Sequence, residues 1–516
     1  MKDGNKQDRE FPILSEIDFG RPDANAEHDT SIKNNSIPLY QSCFVHPPIS
    51  FKADFDNGTR FFIVGQKGVG KTAFLRVMYD NLSKLGYSVE YIVFNERISQ
   101  DEQIYSPEDI LVDREDISKT TYHLHSIKRI LMAIILKKIY DNYDDIGKKS
   151  LIDRVKQNES PLIWRIIHSA PADIVRKVCD DITDIVSSSN IDVKSITKGK
   201  VKINPEQLIK RKNDSLLKEL IGILKESKNK YAIFIDEIQY VYSDDDAYRE
   251  GATLVRDMIV SALNLNRAFI AAKADVTIYL AMRSEFLNHP IIAKANVAQS
   301  IESYGEKLFW RYRQRDHDDP LISIVTKRIK IAHDNGFTNS DLFKYYMANI
   351  TPKDLISYTW RKPRDVIRFF SKAREIYPGE RLLSQSQISD VLTQYSLECW
   401  EDLKPAAATL LNEKGLVRLQ TALEEIAPDF NDPNYGMPAA KFIEKLKPIY
   451  DSFDKEIKNS QSPESLFYFL YSIGIFYSYI KDGNLKRVSF ACLGHQKPYS
   501  GGFIRLHRTL VRAFAK

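Results

Sequence analysis

At 516 residues the chain is long enough for roughly two to four domains with full hydrophobic cores. Its 43% hydrophobic and 28% charged residues are an ordinary globular mix, and a net charge of +5 over that length argues for no particular class of partner. Cys43, Cys179, Cys399 and Cys492 show no paired spacing, which argues against a disulfide framework or a cysteine zinc site and fits a reducing, cytoplasmic setting.

Residues 1–15 read as a flexible tail, because Met1–Glu10 is polar, mixed in charge and unlike a secretory leader. Phe19-Gly20-Arg21-Pro22-Asp23 and Pro47-Pro48 then punctuate an irregular stretch that runs to Asn57. The run Arg60–Val64, ending at Gly65, predicts a strand buried on both faces, as in a parallel sheet. A helix is expected over Thr72–Lys84, closed by Gly86, and a second buried strand over Val89–Phe94. Strand, helix and strand open an α/β domain.

From about residue 105 to 230 the apolar spacing turns helical, as in Ile127–Tyr140 and Ile166–Ile185, with a polar loop at Ser187–Lys202. Asn204-Pro205 supplies a cap and a first-turn proline for a helix running to about Lys225. We read this region as a helical insertion in the domain 16–290. The sheet resumes with Tyr231–Ile235 and Val276–Met282, separated by a helix around Ala252–Leu265. Residues 291–390 read as a helical lid, and 391–516 as a winged-helix-like domain. In that last part Ser462-Pro463 starts a helix that Gly474 closes, a hairpin turns at Lys481–Asn484, and a helix follows near Leu506–Phe514. The apolar run Ser465–Ile480 falls short of the roughly 20 residues a bilayer demands, so no membrane partner is expected.

Gly65-Gln66-Lys67-Gly68-Val69-Gly70-Lys71-Thr72 matches G-x-x-x-x-G-K-[ST] at every fixed position. Glycines let such a loop curl so that its N–H groups face the β-phosphate of ATP. Lys71 then reaches the β- and γ-phosphates, and Thr72, followed by Ala73, offers its hydroxyl to Mg²⁺. The octet arises by chance in roughly 2% of chains this long, so the strand before it and the helix after it carry the weight. Ile233-Phe234-Ile235-Asp236-Glu237 places two carboxylates at a strand's carboxyl end. Asp236 is expected to hold the Mg²⁺ shell and Glu237 to deprotonate the attacking water.

Arg283, after the strand Val276–Met282, is placed to sense the γ-phosphate or simply to make a surface salt bridge. In Lys362-Pro363-Arg364-Asp365-Val366-Ile367 the arginine either reaches the phosphates from the lid or lies on a solvated helix face. Arg311, Arg313 and Arg315 read as fingers acting in trans in a homo-oligomer, or as a solvated basic face or partners of Asp316, Asp318 and Asp319.

In this order these segments resemble the STAND and AAA+-like branch of P-loop ATPases, and more closely a bacterial family sometimes called FunZ-type. That family shares an FG-x-x-x-A-x-x-E box, found here as Phe19, Gly20, Ala24 and Glu27, and a PRD-x-I segment at 363–367. The resemblance implies an additional-strand, catalytic-glutamate core with a helical lid and a winged-helix-like C-terminus. It also implies that Phe19, Gly20 and Arg21 flank the adenine.

Two functions follow as expectations. One is a signalling or phage-defence switch that acts through a partner effector protein. The other is a DNA-dependent ATPase, because Lys481, Lys486, Arg487, Lys497, Arg505, Arg508, Arg512 and Lys516 face only Asp482, about +7 in one segment.

Overall fold

A computed structural model of the chain describes residues 12–48, 52–93, 119–157, 161–170, 173–188, 205–227, 229–236, 245–284, 287, 292, 297–310, 319–332, 342, 345–347, 349–407, 411, 413–427, 436–450, 462–482, 485–495 and 497–514. Phe94, Glu237, residues 189–204, Gly483, Asn484, Arg311, Arg313 and Arg315 lie outside the described residues.

Along the chain the elements used below are α1 (Ala24–Lys33), β1 (Phe62–Gly65), α2 (Lys71–Lys84), β2 (Ser88–Val93), α3 (Lys119–Asn142), α4 (Ile174–Ser188) and α5 (Pro205–Glu226). Then come β3 (Tyr231–Asp236), α6 (Asp245–Ala272), β4 (Val276–Arg283), β5 (Gly305–Lys307), α7 (Pro320–Ala332), α8 (Pro363–Ile376) and α9 (Gln385–Ala407). The chain closes with β6 (Met437–Pro438), α10 (Ala439–Tyr450), α11 (Pro463–Ser472), β7 (Phe476–Asp482), β8 (Leu485–Ser489), β9 (Phe503–Leu506) and α12 (Arg508–Phe514).

These fall into two compact units. One, the sheet unit, holds Ser50–Val64 and Phe74–Lys307; the other, the loop unit, holds Met1–Ile49, Gly65–Ala73 and Leu308–Lys516. The sheet unit is built on a five-stranded parallel sheet ordered β2-β3-β4-β1-β5. Phe62, Ile63, Val64 and all of Tyr231–Asp236 are buried, as expected of central strands covered on both faces. On α6, Asn266 is buried and acts as a third backbone partner for β4. Its Nδ2 donates to Ile278 O at 2.9 Å, and its Oδ1 accepts from Ile278 N–H at 2.8 Å. The helical insertion is present: α3 packs on α4, α5 and α6. Inside it the buried Arg129 donates through Nη1 to Asn213 Oδ1 and through Nη2 to Asp181 Oδ2, each at 2.6 Å.

The loop unit contains α7, α8 and α9 and a four-stranded antiparallel sheet ordered β6-β9-β7-β8. With α10 and α11 beside it, this sheet makes the winged-helix-like module. Ser462 caps α11 by accepting from Ser465 N–H, and Gly474, at φ +90°, turns the chain into β7.

Four boundaries differ from those expected. Residues 12–15 are not a loose tail, since Leu14 is buried and its N–H donates to Glu380 O at 2.8 Å. Residues 16–48 group with the lid rather than with the sheet. The sheet unit runs on to Lys307, because β5 pairs with β1. The border between 390 and 391 falls inside the continuous helix α9, so the lid and the C-terminal part share an element.

Asn266→Ala leaves two backbone groups of β4 buried and unpaired. It should lower unfolding stability by about 2–4 kcal/mol, read as a reduced urea midpoint, whereas Asn264→Ala, an exposed neighbour on the same helix, should leave the midpoint near that of the parent chain.

Candidate functional site

β1 leads into the glycine loop, and α2 begins at Lys71. Gly68 and Gly70 adopt φ of +85° and +91°, backbone that a side chain strongly disfavours. A Cβ on Gly68 would also stand 3.1 Å from Arg364 Cβ, a tight approach that adds to the demand the backbone conformation makes for glycine. The Lys71 ammonium turns back onto the loop, donating to Gly65 O at 2.9 Å and Gln66 O at 3.0 Å. Thr72 and Ala73 follow, half-buried, in the first turn of α2.

Within the loop unit, four successive loop residues are each held by a different segment. Gln66 Nε2 donates to Ser472 O at 3.1 Å, and Lys67 Nζ to Asp402 Oδ1 at 2.5 Å. Gly68 O accepts from Arg364 N–H at 3.3 Å, and Val69 O from Trp310 Nε1 at 2.9 Å. Helix chemistry explains the third of these contacts. Pro363 occupies the first turn of α8, where its missing N–H is no loss, and the N–H of Arg364 is one of the donors that a helix start leaves unpaired. The neighbouring Asp365 is turned inward instead, buried, with its Oδ2 accepting from Trp360 N–H at 3.0 Å.

The Arg364 side chain links the loop to the N-terminal box. Its Nε donates to Pro22 O at 3.0 Å, and its Nη2 lies 3.5 Å from Asp23. In the box itself Phe19 is buried and stacks on Phe370 at 5.2 Å, so its ring packs in the core. Gly20 has φ +76°. Glu27 accepts from the N–H groups of Arg21, at 2.8 Å, and Tyr40, at 2.5 Å. The spacing from Gly20 to Glu27 is therefore that of a side chain stapling the turn ahead of its own helix.

Asp402, on α9, gathers three cations: Lys67 at 2.5 Å, Arg368 at 3.1 Å and Arg364 at 3.9 Å. Burial by itself would raise its carboxyl. The charges of Arg368, Lys67 and Arg364, with the Lys67 hydrogen bond, outweigh burial and hold it well below the usual carboxylate range. Sequence reasoning missed Asp402 and Trp310. An acid beside Glu401 in mid-helix looks like a solvated face, and its partner Lys67 is 335 residues away.

In the sheet unit, Asp236 ends β3 and is buried, its Oδ2 accepting from the Tyr91 hydroxyl at 2.9 Å. Arg283 ends β4, half-buried. Glu237, expected next to Asp236, lies outside the described residues. At the C-terminus, Arg508 Nη1 donates to Ser357 Oγ at 2.9 Å, and Arg512 Nη1 to Ser389 O at 2.9 Å. Two of the arginines expected along a DNA backbone are thus engaged inside their own unit.

A parallel sheet in which β4 separates the strand entering a glycine loop from the strand ending in acid has the architecture of a P-loop NTPase core. No protein-family model matches the sequence, and no curated protein is similar to it. Among solved structures the chain is similar to the Aeropyrum pernix Orc1 protein in complex with DNA. The two are 13% identical, over 84% of this chain and 83% of that one, with a TM-score of 0.29, a level at which nothing is carried across.

The Asp402 cluster predicts a pH signature. Its folded carboxyl sits below the unfolded value of about 3.9, so its contacts stabilise fully above that value and are lost as pH falls through the folded one. Asp402→Asn should cost about 1–2 kcal/mol after solvent screening. In urea melts the gap from the parent chain should be constant between pH 7 and 5 and should close below about pH 4.

Proposed function

We propose that the chain binds ATP with Mg²⁺ through Gly65–Ala73 and hydrolyses it with Asp236 and Glu237. The observation that carries this reading is the loop itself: two glycines at positive φ, a lysine opening the following helix, and Arg364 packed on Gly68. In this reading Gly65, Gln66, Lys67, Gly68, Val69 and Gly70 wrap the phosphates. Lys71 exchanges its two loop carbonyls for the β- and γ-phosphate oxygens. Gly20 and Arg21, tied to the loop through Arg364, flank the adenine, with Phe19 packed beneath them.

The residues present suit a magnesium ion shared with phosphate. The Thr72 hydroxyl and the Asp236 carboxylate are hard oxygen donors. Among the described residues, no three His, Cys, Asp or Glu side chains gather to hold a metal unaided. When bound, Mg²⁺ neutralises charge across the β- and γ-phosphates. Glu237 takes the proton of the attacking water, while Arg283 and Arg364 stabilise charge that spreads over the γ-phosphate oxygens.

The same contacts suggest how occupancy is felt. A triphosphate competes with Asp402 for Lys67 and Arg364, and α9 carries Asp402. Such an exchange suits a molecular switch whose ATP-bound form engages a partner protein or a second copy of the chain. Engagement of Arg508 and Arg512 within the loop unit weakens the alternative of a DNA-dependent ATPase.

Glu237→Gln should still bind ATP–Mg²⁺ but turn over at least about 100-fold more slowly, whereas Lys71→Ala should lose binding. Phosphate release and equilibrium binding of a fluorescent ATP analogue separate the two. Normal turnover by Glu237→Gln would remove that residue from its role.

A further inference from the structure

β2 and β3 pair in parallel, with Tyr91 opposite Phe234 and Val93 opposite Asp236. Residues two apart on a strand share a face. Tyr91, Phe234 and Asp236 therefore project from one side of the sheet, and the tyrosine is long enough to cross the diagonal to the acid. Its hydroxyl donates to Asp236 Oδ2 at 2.9 Å.

The ring is pinned from two directions. Across the sheet it stacks on Phe234 at 6.2 Å and 18°, and Phe234 stacks on Tyr279 at 4.9 Å and 12°. From α2, the Arg76 guanidinium lies 3.6 Å from the ring centroid, and Tyr79 meets the ring edge-on at 6.0 Å. A phenylalanine at position 91 would keep all of these ring contacts. The hydroxyl adds the bond to the one carboxylate of this strand assigned to the metal.

We infer that Tyr91 is a positioning residue for the magnesium-side carboxylate. By holding Oδ2 with a rigidly packed donor, it fixes the orientation of Asp236 and leaves the other oxygen for the water shell of the ion. Hydrogen bonds behind metal-binding side chains typically set affinity by about 10- to 100-fold. The inference rests on Asp236 being the magnesium residue, and it adds an outer donor from a neighbouring strand.

The test uses the full chain with β,γ-imido-ATP and Mn²⁺ in place of Mg²⁺, reading bound manganese as loss of the free-ion EPR signal. Tyr91→Phe should weaken Mn²⁺ binding about 10-fold. Its binding of the analogue in EDTA should stay at the parent value. Unchanged Mn²⁺ affinity would overturn the proposal. A fall in melting temperature with Mn²⁺ affinity at the parent value would make the hydroxyl a structural donor alone. Asp236→Asn is the control for the underlying reading: if it binds Mn²⁺ like the parent chain, or if the parent chain binds none with the analogue, the magnesium assignment itself fails and Tyr91 goes with it.

Discussion

A short loop held residue by residue is the constraint on which the rest of the structure depends. Gln66, Lys67, Gly68 and Val69 are fastened to Ser472, Asp402, Arg364 and Trp310. Two of the four bonds use loop carbonyls and two use loop side chains, so the grip shapes backbone and side chains together. A glycine-rich segment is otherwise costly to order, at roughly 1–2 kcal/mol of backbone entropy per residue. Fastening each residue to a different packed segment pre-orders the curve that phosphate recognition needs. Arg364 is central because it touches the loop twice, once through its N–H and once through its aliphatic stem, and also reaches Pro22 and Asp23.

Asp402 gives this arrangement a chemical setting. A carboxylate shared by Lys67, Arg364 and Arg368 is held ionised despite burial, so it keeps its charge across the physiological range. Breaking such a pair is expensive when nothing replaces the partner, and much less so when another anion arrives. Phosphate is an anion of that kind, and in the proposed function its exchange with Asp402 is what links the occupant of the loop to the helix that runs from the lid into the C-terminal part.

Much of the fold was legible because its central strands are long apolar runs between turn signals. Tyr231–Asp236 and Val276–Arg283 sit within one residue of where periodicity puts them, and the helix after the glycine loop starts one residue early. β5, β6 and β9 were not legible. Gly305-Glu306-Lys307 has no apolar pattern, and its pairing with β1 is a tertiary event 243 residues away in sequence, as in Phe62 opposite Gly305. The grouping of residues 12–48 with the lid was hidden for a similar reason. Phe19 on Phe370 and Leu14 on Glu380 are contacts that no local window contains. In the candidate site, motif spacing singles out Lys71, Thr72, Asp236 and Arg364 as candidates. Asp402, Trp310 and Tyr91 carry no motif, and only packing brings them to their partners.

The most direct measurement is a crystal structure of the chain with β,γ-imido-ATP and Mn²⁺, phased to locate manganese by its anomalous signal. We expect the triphosphate on Gly65–Thr72, the Lys71 ammonium on its β- and γ-oxygens, and one manganese peak shared between Thr72 and the Asp236 carboxylate, directly or through water. A nucleotide bound away from residue 71, or manganese with no link to residue 236, would contradict the account.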